Sequence, residues 1–135
     1  MTRARSALMD IQRAIYDLLA GDEVLMSLVS GVYDEVPEDA EFPYVTLGDA
    51  MESPRNSHDS IGRETVVTLH VWSKQAGFTE ANTILGRLVA LLDHRPLDVE
   101  NHFHISTRFE FSQALRDPDP LVRHVPARFR IVTSQ

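Results

Sequence analysis

The last third of the chain constrains the fold most, because two runs of alternating apolar residues flank one turn-rich stretch, RDPDPLVRH. The apolar residues before this stretch occupy odd-numbered positions: Phe103, Ile105, Phe109 and Phe111, with Thr107 among them. Those after it are also odd-numbered: Val125, Ala127, Phe129 and Ile131. Alternation with a period of two is typical of strands, so the pattern predicts strands over residues 102–115 and 122–133 that form an antiparallel hairpin.

The same parity restricts the connection of this hairpin. Residues that pair across an antiparallel hairpin share a face of the sheet, so odd positions must pair with odd positions. A two-residue turn centred between Pro118 and Asp119 would pair odd with even positions and turn one strand inside out. We therefore predict a connection of three or five residues, or a bulge in the hairpin. Pro126 has no N–H for a ladder, which predicts that the last strand is an edge strand or is bulged there.

Apolar residues at spacings of three and four predict two main helices. The first begins after Ser6, whose side chain is predicted to cap it, and ends at Gly21. Asp22 offers a cap for a short helix that follows at once. The next long helix opens near Thr79, another candidate cap, and stops before Pro96. The predicted core stripes are Leu8, Ile11, Ile15 and Leu18 in the first helix and Ala81, Ile84, Leu85, Leu88, Leu91 and Leu92 in the second.

The remaining segments predict further strands, over residues 32–36, 44–51 and 63–74. In the clearest of them, Val67, Leu69 and Val71 share one face. The coarse order is helix, strands, helix, strands, with helices that are not interleaved one per strand. This order predicts an α+β fold, in which an antiparallel β-sheet carries two main helices on one face and ends in a long C-terminal β-hairpin. At this length, one domain over residues 1–135 is expected.

The composition argues against several classes of function. The net charge of −7 argues against a protein that coats DNA or RNA, which requires a basic surface. The absence of cysteine excludes disulfides, thiolate metal sites and cysteine nucleophiles. No apolar run approaches the roughly 18–20 residues that span a bilayer, and the first residues lack the apolar core of a secretory signal. We therefore expect a protein that is made in a cytoplasm and has no membrane partner.

Two histidine-bearing strands are the main candidates for chemistry. His102 and His104 lie two residues apart, so on a strand they would share a face and could contact one metal ion. A metal site needs further ligands, and the same face continues to Arg108, whose cation disfavours a metal, so a solvated strand face is favoured. His70 has no recognisable orienting partner or nucleophile, so a half-buried histidine is favoured over a general base.

Two polar segments are better suited to binding than to catalysis. The acidic connector, residues 34–41, holds five carboxylates: Asp34, Glu35, Glu38, Asp39 and Glu41. Solvated carboxylates do not hold a proton near neutral pH, so we predict an acidic surface that faces a basic partner. The polar loop over residues 53–62 is either a solvated tip or a segment that becomes ordered against a partner. No phosphate loop, nucleophile elbow or nucleotide motif occurs, so no catalytic, cofactor-binding or metal-binding residue is predicted.

Three stretches together resemble a known family. They are GVYDEVPEDAEFPYVTLGD over residues 31–49, TLHVWSKQAGFTEANTILGRL over 68–88 and RFEFSQALRDPDPLVRHVPARFRI over 108–131, in that order after a short helix. Their order and spacing resemble the small tail-completion or tail-terminator proteins of long-tailed, siphovirus-like phages, prophages and gene transfer agents. The likeness covers nearly the whole chain.

The resemblance implies a structural virion protein and no enzymatic activity, catalytic residue or cofactor. It implies a homo-hexameric ring that caps the tail tube, ends its polymerisation and joins the tail to the head–tail connector or stopper protein. The protein would lie at the head-proximal end of the virion tail after assembly in the host cytoplasm. Its partners would be copies of itself, the tail tube protein and the connector, with DNA only as cargo that passes through the lumen.

Two alternative functions stay open at this point: a head-side connector or stopper ring, and a small metal-dependent enzyme that uses His102 and His104. Under the resemblance, the charged segments are expected to contact a neighbouring subunit, the tube or the connector. The predicted interface residues are Arg116, Asp117, Asp119 and Arg123 at the hairpin tip, Arg128 and Arg130 on the last strand, Glu38 and Asp39 in the acidic connector, and Arg55, His58 and Asp59 in the polar loop.

Overall fold

The computed structural model describes residues 3–135. Within them the chain forms three helices: α1 (Leu8–Ala20), α2 (Glu23–Leu28) and α3 (Thr79–Leu92). It also forms six strands: β1 (Val32–Tyr33), β2 (Tyr44–Pro54), β3 (Gly62–Ser73), β4 (Phe103–Ser112), β5 (Leu115–Arg116) and β6 (Arg123–Ser134). The predicted α+β class is confirmed. The strand predicted over 32–36 is shorter than expected, and the strand predicted over 44–51 is longer.

One sheet organises the chain, with the order β1-β2-β3-β6-β4 and with β5 beside β6. Neighbouring strands are antiparallel, except that β1 runs parallel to β2. The predicted antiparallel arrangement is therefore correct for every pair but this one at the edge. The connection over residues 34–43 returns the chain to the end of the sheet at which β1 begins, so β2 starts in the same direction as β1.

The C-terminal hairpin of β4 and β6 satisfies the parity rule through bulges. Phe109 pairs with Phe129, odd with odd as predicted, but the register shifts near Ile105 and again near Glu110. Each shift adds one residue to β4. Beyond the second shift, β5 and β6 leave residues 117–122 in the tip. The bulge alternative is therefore confirmed, and the connection of three or five residues is wrong.

Pro126 lies in a central strand and pairs with His70 of β3 in an unbroken register. Both predicted alternatives for this position, an edge strand and a bulge, are therefore wrong. β6 lies between β3 and β4. The carbonyl oxygen of Pro126 accepts a hydrogen bond from the backbone N–H of Gln113 at 3.2 Å. The backbone groups of Pro126 therefore face the break in pairing between Ser112, where β4 ends, and Leu115, where β5 begins. Because the ladder is interrupted there, the missing proline N–H removes no ladder bond.

Both long helices pack on one face of the sheet, as predicted. α3 contacts β3, β4 and β6, and α1 contacts β1 and β2. The covered face contributes Val45, Val67, Leu69, Val71, Val125, Ala127, Phe129 and Ile131 to the core. The alternation predicted for β3 is confirmed, because its core residues alternate with half-buried ones along the strand. Full burial of a large apolar side chain contributes about 1.5–3 kcal/mol, so this face dominates the stability of the fold.

The start of α1 differs from the prediction. Its N-cap position is Ala7, and the Ala7 N–H donates to the carboxylate of Glu52 in β2 at 2.5 Å. The hydroxyl of Ser6 accepts only a longer hydrogen bond, from the N–H of Leu8 at 3.3 Å. The charge of Glu52 is favourable at this end of the helix because the helix dipole is positive there. A distant strand therefore supplies the cap that Ser6 was predicted to supply.

The buried stripes of the long helices are close to those predicted. In α1 the stripe consists of Ile11, Ile15 and Leu19, whereas Leu8 is exposed and Leu18 is only half-buried. In α3 the fully buried members are Ala81, Ile84, Leu88 and Leu92. The N-cap of α3 is Phe78, so Thr79 begins the helix and does not cap it. Among residues 3–135, no helix is both long and apolar enough to cross a membrane.

Asp22 caps α2, as predicted, and also joins it to α3. Its side chain accepts a hydrogen bond from the Leu25 N–H at 2.8 Å. Arg87 donates to the same carboxylate from Nε at 2.8 Å and from Nη2 at 2.7 Å. The hydrogen bonds from Arg87 and then from Leu25 lower the pKa of Asp22 to about 2. The carboxylate therefore stays ionised across the physiological range and holds the acidic start of the chain's second helix in place.

Candidate interaction surface on the helix-free face

We call the side of the sheet opposite the helices the helix-free face. It consists of the residues of β3 and β6 that alternate with the core, together with their partners on β2 and β4. Aromatic, imidazole, hydroxyl and charged side chains share it: Tyr44, Thr46, Glu64, His70, Trp72, Arg108, Glu110, Phe111, His124, Arg128 and Arg130. A face of this chemistry is suited to contact with partners. The sequence analysis did not predict that these side chains share one surface.

His70, Trp72 and His124 form a stacked cluster on this face. Nδ1 of His70 and Nε2 of His124 lie 2.6 Å apart, so one imidazole donates a hydrogen bond and the other accepts it. The Trp72 ring stacks on His124 with 3.9 Å between centroids, and its Nε1–H donates to Oγ1 of Thr46 at 3.0 Å. Gly48 leaves room for His70, because a Cβ at this position would overlap the imidazole. The predicted half-buried His70 is confirmed.

Burial favours the neutral form of both imidazoles. Burial lowers the pKa of His70, although the carboxylate of Asp49 opposes this shift. Burial and then the neighbouring His70 lower the pKa of His124, while Asp117 opposes the shift. A neutral histidine pair that is stacked on an indole acts as a packing element of this face. The orienting partner of His70 is thus another histidine, 54 residues along the chain.

Arg130 is the centre of a charged network that spans β3, β6 and β4. Its guanidinium donates to the carboxylate of Glu110 from Nη2 at 3.0 Å and from Nε at 3.1 Å, and it also donates to Glu64. Glu64 forms a second ion pair with Arg55 at 3.9 Å. The structure therefore brings together two predicted interface residues, Arg55 and Arg130. Glu64 joins the two arginines, and Glu110 contacts Arg130 alone. Neither glutamate was singled out, because only the register of the strands places it beside an arginine.

The bulges distribute the residues of β4 between the two faces. Thr107 is buried beneath the helices and Phe109 packs against the core, as predicted. Phe103, Ile105 and Phe111 are instead exposed, by 72%, 60% and 45%. The prediction of one apolar face for all five residues is therefore wrong, because each bulge inverts the alternation beyond it.

Arg128 is exposed on the neighbouring strand, and its guanidinium lies 4.9 Å from the centre of the Phe111 ring. This cation–π contact covers part of an aromatic residue that the second bulge turned away from the core. An exposed contact of this kind contributes about 0.5–1 kcal/mol. Arg128 was predicted as an interface residue, and its position on the helix-free face is compatible with that prediction.

His102 and His104 do not form the solvated strand face that was favoured. The side chain of His102 has no exposed surface, and its Nε2 lies 3.2 Å from the carboxylate of Asp10 on α1. Nε2 of His104 lies 2.6 Å from Oγ1 of Thr107, and burial, followed by the charge of Arg108, lowers the pKa of His104. The two rings have different partners, and no group of three or more His, Asp or Glu side chains within residues 3–135 is arranged to hold a metal ion.

The two aspartates of RDPDPLVRH hold the hairpin tip in its turn. Oδ1 of Asp117 accepts a hydrogen bond from the N–H of Asp119 at 3.1 Å. Oδ1 of Asp119 accepts one from the N–H of Leu121 at 3.0 Å. Aspartates commonly stabilise turns by binding a backbone N–H two residues onward. These two carboxylates therefore have a structural role in addition to the predicted role in contacts.

The arginines of the tip have different surroundings. Arg123 is half-buried, donates from Nη1 to the carbonyl oxygen of Pro120 at 2.7 Å and lies 5.7 Å from the centre of the Phe78 ring. Arg116 is exposed, and its backbone pairs with that of Arg123 across the two short strand ends. Of the two, Arg116 is the side chain that is free to contact a partner.

The remaining predicted interface residues lie in exposed connections. Glu38 and Asp39 are exposed in the acidic connector, which precedes β2 and lies at the end of the sheet that carries the hairpin tip. His58 and Asp59 are exposed in the polar loop between β2 and β3, at the opposite end of the sheet. The predicted set thus divides between the two ends of the sheet, with Arg130 and its neighbours between them.

Comparison with known proteins assigns this arrangement to a family. The profile of the family described as "Tail completion protein gp17" matches residues 13–134. The chain belongs to this family. The resemblance predicted from the three stretches is therefore confirmed. The family is one of structural tail completion proteins, so the alternative of a metal-dependent enzyme that uses His102 and His104 is wrong.

Individual relatives agree with the family assignment. The tail completion protein gp17 of Bacillus phage SPP1 is 28% identical over 123 residues, which cover 90% of this chain and 91% of that protein. The solved structure of the bacteriophage SPP1 gp17 protein superposes with a TM-score of 0.65 at 26% identity, and the match covers 92% of this chain and 90% of that one. A chain in the solved virion of a native gene transfer agent particle superposes with a TM-score of 0.88 at 24% identity, over 98% of this chain and 100% of that one. The last likeness concerns the fold alone.

Proposed function

We propose that six copies of this protein form a ring that caps the tail tube, ends its polymerisation and joins the tail to the head–tail connector or stopper protein. The observation that carries this proposal is the family match over residues 13–134, since the family is described by its role in tail completion. The relative from Bacillus phage SPP1 bears the same description along 90% of this chain. The proposed position is the head-proximal end of the virion tail, reached after assembly in the host cytoplasm.

The two ends of the sheet offer different polar elements to the proposed partners. The hairpin tip and the acidic connector lie at one end, and the polar loop lies at the other. If the strands run along the axis of the ring, one end faces the tube and the other faces the connector. The proposed contact residues are Arg116, Asp117, Asp119, Arg123, Glu38 and Asp39 at the first end, Arg55, His58 and Asp59 at the second, and Arg128 and Arg130 between them.

The outer edge of β4 favours side-chain contacts over strand addition between copies. The side chain of Asp93 accepts a hydrogen bond from the N–H of Phe109 at 2.8 Å, and the N–H of His94 donates to the carbonyl oxygen of Thr107 at 2.9 Å. The chain that follows α3 therefore already binds the middle of this edge. Covered or bulged edges oppose the uncontrolled pairing that exposed strands promote. A ring that closes after a fixed number of copies is compatible with such an edge.

The charge of the chain suits a ring through which DNA passes as cargo. Each phosphate that a protein neutralises releases counterions and strengthens its hold on DNA. The chain has a net charge of −7, so a ring of several copies is strongly acidic as a whole. Such a ring does not retain the duplex in its lumen, and the proposed function needs no further DNA contact.

Deletion of the gene tests the proposal directly. Without a cap, tube subunits continue to add, so negative-stain electron microscopy of the lysate should show over-long tails that lack heads. Expression of the wild-type chain in trans is the control and should restore tails of normal length with heads attached. Headless tails of normal length would contradict a role in ending polymerisation and would indicate a head-side connector or stopper ring instead.

A further inference from the structure

The excess negative charge of the chain is confined to one segment. Residues 22–53 contain nine acidic residues and no lysine, arginine or histidine, whereas the rest of the chain contains 11 acidic and 13 basic residues. This segment forms α2, β1 and β2, which lie at one edge of the sheet. Of the nine acids, only Asp22 forms an ion pair within residues 3–135. We call this side the β2 edge. It is acidic, and most of its negative charge is not balanced by a basic side chain.

The opposite edge of the sheet carries net positive charge, because three arginines outnumber the carboxylate of Asp93, which binds the Phe109 N–H there. Arg95 precedes β4, Arg108 lies on β4 and Arg116 lies on β5, and all three are exposed. None of them forms an ion pair within the described part of the chain, residues 3–135. Arg108 donates only to the carbonyl oxygen of its neighbour Thr107, at 3.0 Å. We call this side the β4 edge.

Apolar surface is divided between the same two edges. On the β4 edge, the side chains of Phe103 and Ile105 are 72% and 60% exposed. Beside the β2 edge, α1 and the strand leave an open groove of about 380 Å³, in which Met9 is 70% exposed. The residues that line this groove are Met9, Gln12, Arg13, Tyr16, Asp34 and Leu47. One edge thus presents apolar projections beside arginines. The other presents a groove of mixed character beside carboxylates, in which Met9, Tyr16 and Leu47 supply the apolar part and Arg13 is paired with Glu100 at 3.8 Å.

We propose that the β4 edge of one copy docks on the β2 edge of the next, with Phe103 and Ile105 in the groove and Arg108 facing Asp34. The two surfaces lie at opposite edges of one sheet, so they meet only between different copies. A contact between unlike surfaces is heterologous, and heterologous contacts generate closed rings when the rotation between copies closes. The inference rests on the proposed ring and specifies which surfaces hold it together. Opposite charges would set the register of the contact and the apolar side chains would supply its buried centre.

The absence of cysteine allows a direct test of this contact. The variant Met9→Cys/Ile105→Cys places one thiol on each proposed edge, at positions that are already exposed. Tails are purified from particles in which the variant replaces the wild-type chain, and they are treated with a short bismaleimide. Denaturing electrophoresis should then show a ladder of linked chains that extends to the number of copies in the ring.

Two controls make the ladder specific. Each single variant, Met9→Cys or Ile105→Cys, should remain monomeric, because a heterologous contact never brings a residue to its own copy in the neighbour. The matched double variant Met9→Cys/Leu121→Cys carries its second thiol on the hairpin tip, where Leu121 is 66% exposed, and should give no ladder. Linked dimers from a single variant, or a ladder from the Leu121 control in place of the Ile105 variant, would overturn the proposed contact.

Exchanging the charges of the two edges tests the same contact independently. The variant Arg95→Glu/Arg108→Glu opposes acid to acid across the contact and should lower the incorporation of the protein into tails by more than about tenfold, because facing like charges are strongly disfavoured. The further changes Asp34→Arg and Glu35→Arg on the same chain restore opposite charges at every contact and should recover incorporation. Unchanged incorporation of the first variant, or no recovery by the second, would contradict the contact.

The outcomes separate this inference from the proposed function. If quantitative mass spectrometry of tails finds several copies of the protein and the double-cysteine variant gives no ladder, the ring stands and the assigned edges are wrong. If it finds a single copy per tail, the ring itself is wrong and the contact fails with it.

Discussion

The two faces of β3 and β6 are built from alternate residues of the same twelve-residue strands, yet they have opposite chemistry. On the covered face, Leu69 and Phe129 are sealed beneath the helices. On the helix-free face, their direct neighbours in sequence, His70 and Arg128, belong to polar and aromatic clusters that remain partly exposed. Odd-numbered residues of these strands therefore stabilise the core, whereas even-numbered ones are available to contact partners. Neighbouring positions should therefore respond very differently to the same substitution.

The largest expected difference is between Phe129→Ala and Arg128→Ala, which truncate adjacent residues of β6. Phe129 has no exposed surface and packs against Phe109 with 5.5 Å between ring centroids. Its truncation leaves a cavity in the core and should lower the free energy of unfolding by about 3–5 kcal/mol. Arg128→Ala loses only an exposed cation–π contact, worth about 0.5–1 kcal/mol. Urea denaturation followed by circular dichroism measures both, and losses of similar size would contradict the division of roles between the faces.

A smaller effect should come from glycines at two contrasting positions. Gly48 lies against the helix-free face, where a Cβ would overlap the ring of His70 and approach the backbone oxygen of Thr68. Gly48→Ala should therefore destabilise the fold by about 1–3 kcal/mol, as overpacking does. The matched control is Gly86→Ala in α3, where a Cβ meets no atom within 4 Å among the described residues. Because alanine is the better helix former, this control should stabilise the protein by about 0.5–1 kcal/mol. A neutral Gly48→Ala would show that the histidine cluster is loosely packed.

Local patterns in the sequence predicted the buried residues of β3 correctly, but they did not predict which residues of β4 are buried. The buried alternation of Val67, Leu69 and Val71 was predicted correctly, because a strand without bulges keeps its period of two. On β4 the same reasoning assigned Phe103 and Ile105 to the core, and the bulges put both at the surface. Neither bulge has a local marker such as glycine, so only the pairing with β6 reveals them.

The polar contacts of the fold could not be predicted from the sequence either, because they join residues that lie far apart in the chain. The cap of α1 is Glu52, 45 residues from Ala7. Glu64 meets Arg130 across 66 residues, and only the register of β3 with β6 brings them together. The order of elements and the family resemblance could still be predicted, because both depend on spacing along the chain and neither requires knowledge of side-chain partners.

The most subtle expected contrast is in the pH dependence of the helix-free face. The folded protein lowers the pKa of His70 and of His124, chiefly by burial. In the unfolded chain both titrate near the usual histidine value of about 6.5. Below that pH the unfolded state binds more protons than the folded state, so the free energy of unfolding decreases as pH falls, until the pH drops below the folded-state pKa values. Stability from these groups is thus fully present above about pH 6.5 and is lost on acidification.

Urea denaturation at about pH 7.5 and about pH 5.5 measures this contrast across the range in which histidines titrate. The wild-type protein should be less stable at the lower pH. The variant His70→Gln/His124→Gln should lose part of that difference and should keep the part that comes from the half-buried His104, whose pKa is also lowered. The control His58→Gln removes a histidine from the exposed polar loop and should leave the difference unchanged. An equal pH response in the double variant and the wild type would mean that the paired imidazoles are not linked to folding, and the helix-free face would then tolerate charge as readily as an ordinary surface.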